Sequence, residues 1–201
     1  MSPEQIERFF RLLAKELPRS VTVILTGAAA GSLMGHVRPS LDIDFAIFPT
    51  RSPSAASWKT IEDAVERVGQ LTGIRPHYAE DIDRWSSVAL RGYRQRSRLY
   101  RRFGRLAVRL LDPATWAIGK LSRYLPQDID DLVAILSQQR LPAATLVSHW
   151  AQALRHSPRS QALTLFRDHV EDFLRTHGTT IWGRSFDPEN AIRRFRQHLA
   201  S

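Results

Sequence analysis

The sequence predicts an α/β chain of the α+β kind, a mixed sheet flanked by helices and followed by a C-terminal helical lobe. Three observations carry that prediction. As far as residue 112, short β-branched or alternating runs interleave with amphipathic helical patterns. Beyond the Asp112-Pro113 break every apolar pattern has the helical period. Neither part contains an internal repeat or a low-complexity segment. The expected division is an α/β domain over residues 1–112 and a helical lobe over residues 113–201.

The elements follow in order. Ile6, Phe9, Phe10, Leu13 and Leu17 recur at helical spacing and Pro18 stops the run, which predicts a helix over 3–17. Residues 21–25 are short, apolar and β-branched, as a buried strand requires. Gly27 breaks that strand, and the small residues over 28–34 suit a helix ended by Gly35. Leu41, Ile43, Phe45 and Ile47 alternate with Asp42, Asp44 and Ala46, giving a second strand before Pro49. A polar loop is expected over 52–57. A helix over 58–71 follows through Ile61, Val65, Val68 and Leu71, with Gly73 as its cap. Residues 74–78 read as a short strand. The arginine-rich stretch after them folds into a hairpin around Gly104, whose second strand, 106–111, stops at Asp112-Pro113. Helices are expected over 114–124, 127–138, 143–156, 160–176 and 188–199.

Composition narrows the function classes. Hydrophobic residues make up 43% and charged residues 24%, the balance of a globular protein. Cysteine is absent, which rules out disulfides and thiolate metal sites and favours a reducing, cytoplasmic location. The first residues lack the basic-then-apolar layout of a secretory signal. The longest uncharged stretch, 20–35, is too short and too glycine-broken to span a bilayer, so no membrane association is expected. The net charge of +9 points instead to a polyanionic partner. No acidic residue lies between Arg84 and Leu111, whereas Arg91, Arg94, Arg96, Arg98, Arg101, Arg102, Arg105 and Arg109 crowd together, interleaved with Tyr93, Tyr100 and Phe103. Such a tract can grip phosphates and stack on bases, or it can be a solvated face in an arginine-rich chain. Lysine occurs only at Lys15, Lys59 and Lys120.

The chemistry concentrates between residues 21 and 48. Side chains alternate along a strand, so Asp42 and Asp44 leave it on the same side while Leu41, Ile43 and Phe45 pack on the other. Two like charges held about 6–7 Å apart repel unless a cation lies between them, and hard oxygen ligands of this kind suit Mg²⁺ (or Mn²⁺) shared with substrate phosphates. Upstream, Thr26-Gly27-Ala28 sits where a strand yields to a helix, so backbone N–H groups can approach a phosphate there. Arg38, four residues before Asp42, is placed to reach the same anion. No Gly-x-Gly-x-x-Gly follows the first strand, which argues against a Rossmann dehydrogenase. The histidines offer no His-x-x-x-His pair for zinc, and Trp150, Trp182 and Phe186 read as packing residues of the helical lobe.

The run from Leu25-Thr26-Gly27-Ala28 to Arg38-Pro39-Ser40-Leu41-Asp42-Ile43-Asp44 resembles the signature of the DNA polymerase β-type nucleotidyltransferase superfamily. Within it, the resemblance is to the abortive-infection type nucleotidyltransferase toxins and related bacterial domains. A second block, Lys120-Leu121-Ser122-Arg123 followed by Asp128-Ile129-Asp130-Asp131, is similar to their later lysine and aspartate elements, so the resemblance covers residues 20–140. It implies a nucleotidyltransferase-like sheet and a Mg²⁺-dependent transfer from a nucleoside triphosphate to an acceptor hydroxyl, such as a tRNA end. Asp42 and Asp44 would be metal-binding and catalytic. Thr26, Gly27, Ala28, Arg38 and Lys120 would bind the nucleotide, and Asp128 would act in catalysis or orient Lys120. The 91–109 arginine tract would seat tRNA or another RNA, and an antitoxin protein would be the partner of such a toxin. Read without the resemblance, Lys120 is either a compact cation presented on a helix face or a solvated helix residue, and Asp128 is a first-turn acid favouring its helix dipole.

The sequence also departs from that pattern. Ala28 offers no hydroxyl to a phosphate, and the third metal carboxylate has no clear match. Glu80, Asp81 and Asp112 stand in for it, each read more simply as a strand-end or loop residue, with Asp112 before Pro113 as a turn. Two other readings therefore remain: a catalytically degenerate nucleotide- or RNA-binding relative, and an antitoxin-like protein-interaction domain whose basic tract meets an acidic protein.

Overall fold

A computed structural model describes residues 1–49 and 55–200. The chain divides into two compact units, Met1–Ile82 with Arg94–Leu111, and Asp83–Tyr93 with Asp112–Ser201. The first unit is the mixed α/β part and the second carries the C-terminal helices.

The first helix, α1 (Pro3–Glu16), starts where its sequence says it should. Ser2 caps it, Pro3 supplies the fixed φ of the first turn, and Gln5 returns a bond to the Ser2 N–H. Strand β1 (Val21–Leu25) follows, then α2 (Gly27–Leu33), β2 (Asp42–Pro49), α3 (Ala55–Thr72) and β3 (Arg75–Ala79). A four-residue turn of helix, α4 (Tyr93–Arg96), precedes β4 (Arg98–Phe103) and β5 (Leu106–Leu110). The strands order as β3-β2-β1-β5-β4. The central β1 runs antiparallel to β2 and parallel to β5, β2–β3 is parallel, and β4–β5 is the expected hairpin, turning at Gly104 with φ +54°.

Register explains the core of this unit. Ile43, Phe45 and Ile47 of β2 share a face with Val21, Val23 and Leu25 of β1, and α1 covers that face. Phe45 stacks on Tyr78 at 5.7 Å and meets Phe10 edge-on at 5.9 Å, with Phe9 against Phe10. From α3, Ile61, Val65 and Val68 are fully buried.

The second unit contains a 3₁₀ turn (Ile82–Trp85, from Asp83 onward), α5 (Pro113–Arg123), α6 (Pro126–Gln139), α7 (Ala143–Arg155), α8 (Gln161–Trp182) and α9 (Pro188–Ala200). Segment Asp83–Tyr93 belongs here because its ends are tied down: Leu90 N–H donates to Asp83 at 2.5 Å, and Ala89 N–H to Ser157 Oγ at 2.7 Å. Trp150 and Trp182 pack as expected. Trp150 is fully buried and donates to the Ala114 carbonyl, and Trp182 donates to the Leu141 carbonyl while packing on Phe186.

Several elements differ from the sequence reading. The loop expected over 52–57 falls partly outside the described residues, and α3 starts at Ala55 rather than at 58. Leu41 and Leu71, expected to pack, are exposed: Leu41 precedes the first paired residue of β2, and Leu71 lies in the last turn of α3. Helix α8 runs to Trp182 instead of 176, through Gly178, where a Cβ would fall 2.1 Å from the Phe186 ring, so only glycine lets that ring pack there. Asp112 is not simply a turn residue. It caps α5, accepting from Thr115 N–H at 3.1 Å and from Thr115 Oγ at 2.5 Å. Among the described residues no helix is long and apolar enough to cross a membrane.

Phe45 is the hub of the aromatic cluster, so Phe45→Ala is expected to cost about 3–5 kcal/mol of unfolding free energy. Urea denaturation followed by far-UV circular dichroism measures it.

Candidate functional site

Asp42 and Asp44 stand at the start of β2, and their register partners on β3 are Arg75 and His77. All four leave the sheet on the face opposite Phe45. Arg75 Nε lies 2.9 Å from Asp42 Oδ1, and His77 Nδ1 lies 3.3 Å from Asp44 Oδ1. The Asp42 contact is one of charge rather than of aligned hydrogen bonding. Oδ1 is shielded from solvent and receives no properly directed donor, although the guanidinium is within ion-pair distance.

The glycine turn closes the other side. Gly27 has φ +61°, and a Cβ placed on it would fall 2.1 Å from Asp44 Oδ2. Only glycine permits both that backbone conformation and that approach. Thr26 N–H donates to the Asp44 carbonyl at 3.0 Å, which locks the end of β1 to β2. Asp44 is therefore held at its backbone by Thr26 and met at its carboxylate by Gly27. The Thr26 N–H is thus committed to the sheet and is not available for the phosphate contact expected of this turn. Helix α2 has seven residues, too short for its terminus to constitute an anion site by itself.

Arg38 is half-buried in the connection between α2 and β2. Its carbonyl accepts from the N-terminal ammonium at 2.7 Å and its guanidinium from Nη1 donates to the Pro39 carbonyl at 3.4 Å. On β5, the charged residue sharing the face of Asp42 and Asp44 is Arg109, whose guanidinium donates to Ser97 Oγ at 2.8 Å and to the Ser97 carbonyl. Of the stand-ins for a third carboxylate, Glu80 follows directly after β3 and its carbonyl accepts from Arg94. Asp112 has both oxygens engaged in capping α5. Among the described residues no group of three or more His, Asp or Glu side chains is arranged to hold a metal. Asp42 and Asp44 nonetheless fit a hard divalent cation in donor type, with an oxygen lacking a directed partner. Water and phosphate would have to complete the shell.

The arginine tract is only partly a free surface. In the first unit Arg94 donates to the Glu80 carbonyl and lies 4.6 Å from the Phe48 ring centre. Arg101 pairs with Glu7 at 2.7 Å, and Arg105 donates to the Pro18 carbonyl. Together with Arg109 these arginines brace the sheet. Arg98 and Arg102 project from the edge strand β4 into solvent.

In the second unit, Lys120 and Asp128 meet directly. The Lys120 ammonium, 2% exposed, lies 2.9 Å from Asp128 and 2.5 Å from Asp131, with the Trp116 ring 5.4 Å away. Arg123 adds two bonds to Asp128, at 3.1 and 2.7 Å. Two cations thus face two carboxylates, and the cluster ties α5 to α6. Burial pushes the Asp128 carboxyl upward, but the hydrogen bonds from Arg123 and Lys120 outweigh it and hold the pKa below the ordinary aspartate value. Lys120 is thus not a solvated residue, and Asp128 does more than favour a helix dipole. Asp131, Arg75 and His77 were not singled out from the sequence. Asp131 had a signal, lying three residues after Asp128 on the same helical face. Arg75 and His77 had none, since only strand order sets them opposite Asp42 and Asp44.

Removing Lys120 leaves two buried carboxylates short of a cation, so Lys120→Ala should destabilise the fold by about 3–5 kcal/mol. The sign of the pH effect follows from the depressed Asp128 pKa. Its contribution is present above the unfolded aspartate value and lost as pH falls through the folded one. Denaturation from pH 7 down to about pH 3 should show wild type losing more stability than Asp128→Asn over that acid range.

The chain matches no family model, no curated protein and no solved structure.

Proposed function

We propose that this chain is a metal-dependent nucleotidyltransferase that moves a nucleotidyl group from a nucleoside triphosphate to an acceptor hydroxyl, with a tRNA end as the acceptor and a toxin–antitoxin pair as the setting. One observation carries the reading: the Asp44 carboxylate is seated against Gly27 at the β1–α2 turn, beside Asp42 on the same face of β2. That juxtaposition needs a glycine with positive φ and an Asp-x-Asp strand antiparallel to the strand before it.

Asp42 and Asp44 would hold Mg²⁺ or Mn²⁺. When bound, the ion neutralises phosphate oxygens and raises the electrophilicity of the α-phosphorus. The residues of this chain do the rest. The Gly27-Ala28 backbone approaches the phosphates, and Arg38 screens the charge of the departing pyrophosphate. Either aspartate can take the proton of the attacking hydroxyl. Of the two roles the resemblance offers Asp128, orientation of Lys120 is the one its ion pair favours. Arg98 and Arg102, exposed on β4, are the members of the arginine tract best placed to meet an RNA backbone.

A second reading, a nucleotide- or RNA-binding protein without chemistry, is favoured by the cationic partner of Asp42 and by a second cation, Arg109, on the same face of the sheet.

Incubation of the full chain with labelled nucleoside triphosphates, Mg²⁺ or Mn²⁺ and bulk tRNA tests the enzyme. Wild type should label RNA, and Asp42→Asn or Asp44→Asn should lower the rate about a hundredfold or more. Equal silence of all three, with nucleotide or RNA still retained on a filter, would establish the second reading instead. Gel shifts with tRNA at graded salt test the surface: Arg98→Ala and Arg102→Ala should each lower the slope of log affinity against log salt by about 0.7–0.9.

A further inference from the structure

Asp42 already has a cation, and it comes from the chain itself. Arg75 faces Asp42 in register across the β2–β3 pair, with its Nε 2.9 Å from Oδ1. Parallel strands fix that relation at the backbone, since Arg75 N–H donates to the Leu41 carbonyl at 2.9 Å. Yet the ion pair is loose at the side-chain level. The Arg75 side chain is 67% exposed against 37% for Asp42, and the guanidinium is not aligned to hydrogen-bond the oxygen it shields. A guanidinium meant to clamp a carboxylate uses paired, directed N–H donors. Arg123 does this to Asp128 in the second unit, with two bonds at 3.1 and 2.7 Å. Arg75 supplies charge to Asp42 without satisfying its lone pairs.

We infer that Arg75 is a built-in counter-ion of the Asp42–Asp44 pair which competes with a divalent cation and sets the concentration at which the metal enters. The inference rests on the metal-site reading of those two aspartates. Its physics is simple. With Arg75 in place, the repulsion between the two carboxylates is already partly relieved, so a divalent ion gains less by binding. It must also bind beside a positive charge or displace it. Displacement is cheap because Arg75 is mostly in water. An exposed pair of this kind is worth little, so the effect is one of tuning rather than of blockade.

Mn²⁺ binding to the full chain, read from loss of the free-ion electron paramagnetic resonance signal, needs no turnover. Arg75→Gln should tighten Mn²⁺ about fivefold. Arg75→Lys, which keeps the charge, should leave it unchanged, and Arg75→Glu should tighten it beyond Arg75→Gln by supplying a third carboxylate. Asp42→Asn should abolish it. Circular dichroism spectra matching wild type are expected for all four, because the Arg75 side chain is exposed and Asp42 lies at the strand's start. If wild type binds Mn²⁺ and Arg75→Gln binds it no more tightly, Arg75 is no competitor, while the metal site stands. If wild type, Arg75→Gln and Arg75→Glu all fail to bind at millimolar metal, the metal-site reading falls and takes the counter-ion with it.

Discussion

Everything at the candidate site follows from a constraint on like charge. Asp42 and Asp44 leave one strand on one face, and the sheet holds them there through paired backbone on both sides. Neither can move to the other face without breaking that pairing, although each carboxylate can still change rotamer. Their surroundings answer the charge in three ways. Arg75 stands against Asp42, His77 stands against Asp44, and Gly27 clears room for the second Asp44 oxygen. The last answer is the informative one. A surface ion pair needs no glycine of positive φ beside it, and a tight turn needs no carboxylate within a Cβ's reach. Their coincidence at one end of β1 and β2 is what separates this place from an ordinary acidic strand.

The two units handle charge by different physics. In the second, Lys120, Asp128 and Asp131 are buried and satisfied by short, directed bonds, so the cluster is fixed and any lost member is costly. In the first, Asp42, Asp44, Arg75 and His77 are partly solvated and their pairings are single contacts, so the groups can exchange partners at small cost. A buried, balanced network suits architecture, and a wet, loosely paired one suits binding. The arginine tract divides along the same line. Arg94, Arg101, Arg105 and Arg109 are drawn into carbonyl, carboxylate and ring contacts that brace the sheet, which leaves Arg98 and Arg102 on the edge strand as candidates for an external partner.

Much of this was legible in the sequence, for local reasons. Alternation made Asp42 and Asp44 share a face, period marked the amphipathic helices, and Gly27 and Gly104 announced turns that only glycine accommodates well. Where the reading failed, it lacked either the packing around an element or a local cap. Leu71 had helical spacing but no neighbour to cover it. Helix α8 outran its expected end, passing through Gly178 where the ring of Phe186 packs. Asp112 looked like the first residue of a turn, and the hydroxyl and N–H of Thr115 make it a helix cap.

The sequence by itself determined which side chains travel together, because the two-residue repeat of a strand and the 3.6-residue repeat of a helix are properties of one segment. It grouped Asp42 with Asp44, put Gly27 at the break between strand and helix, and separated a mixed sheet from the helices that follow. Only the tertiary structure decided what those groups face. The order β3-β2-β1-β5-β4 brought Arg75 and His77 opposite the aspartates and Arg109 onto their face, and the packing of α5 on α6 buried Lys120 between Asp128 and Asp131. Strand order and helix pairing join residues remote along the chain, and no local periodicity records them.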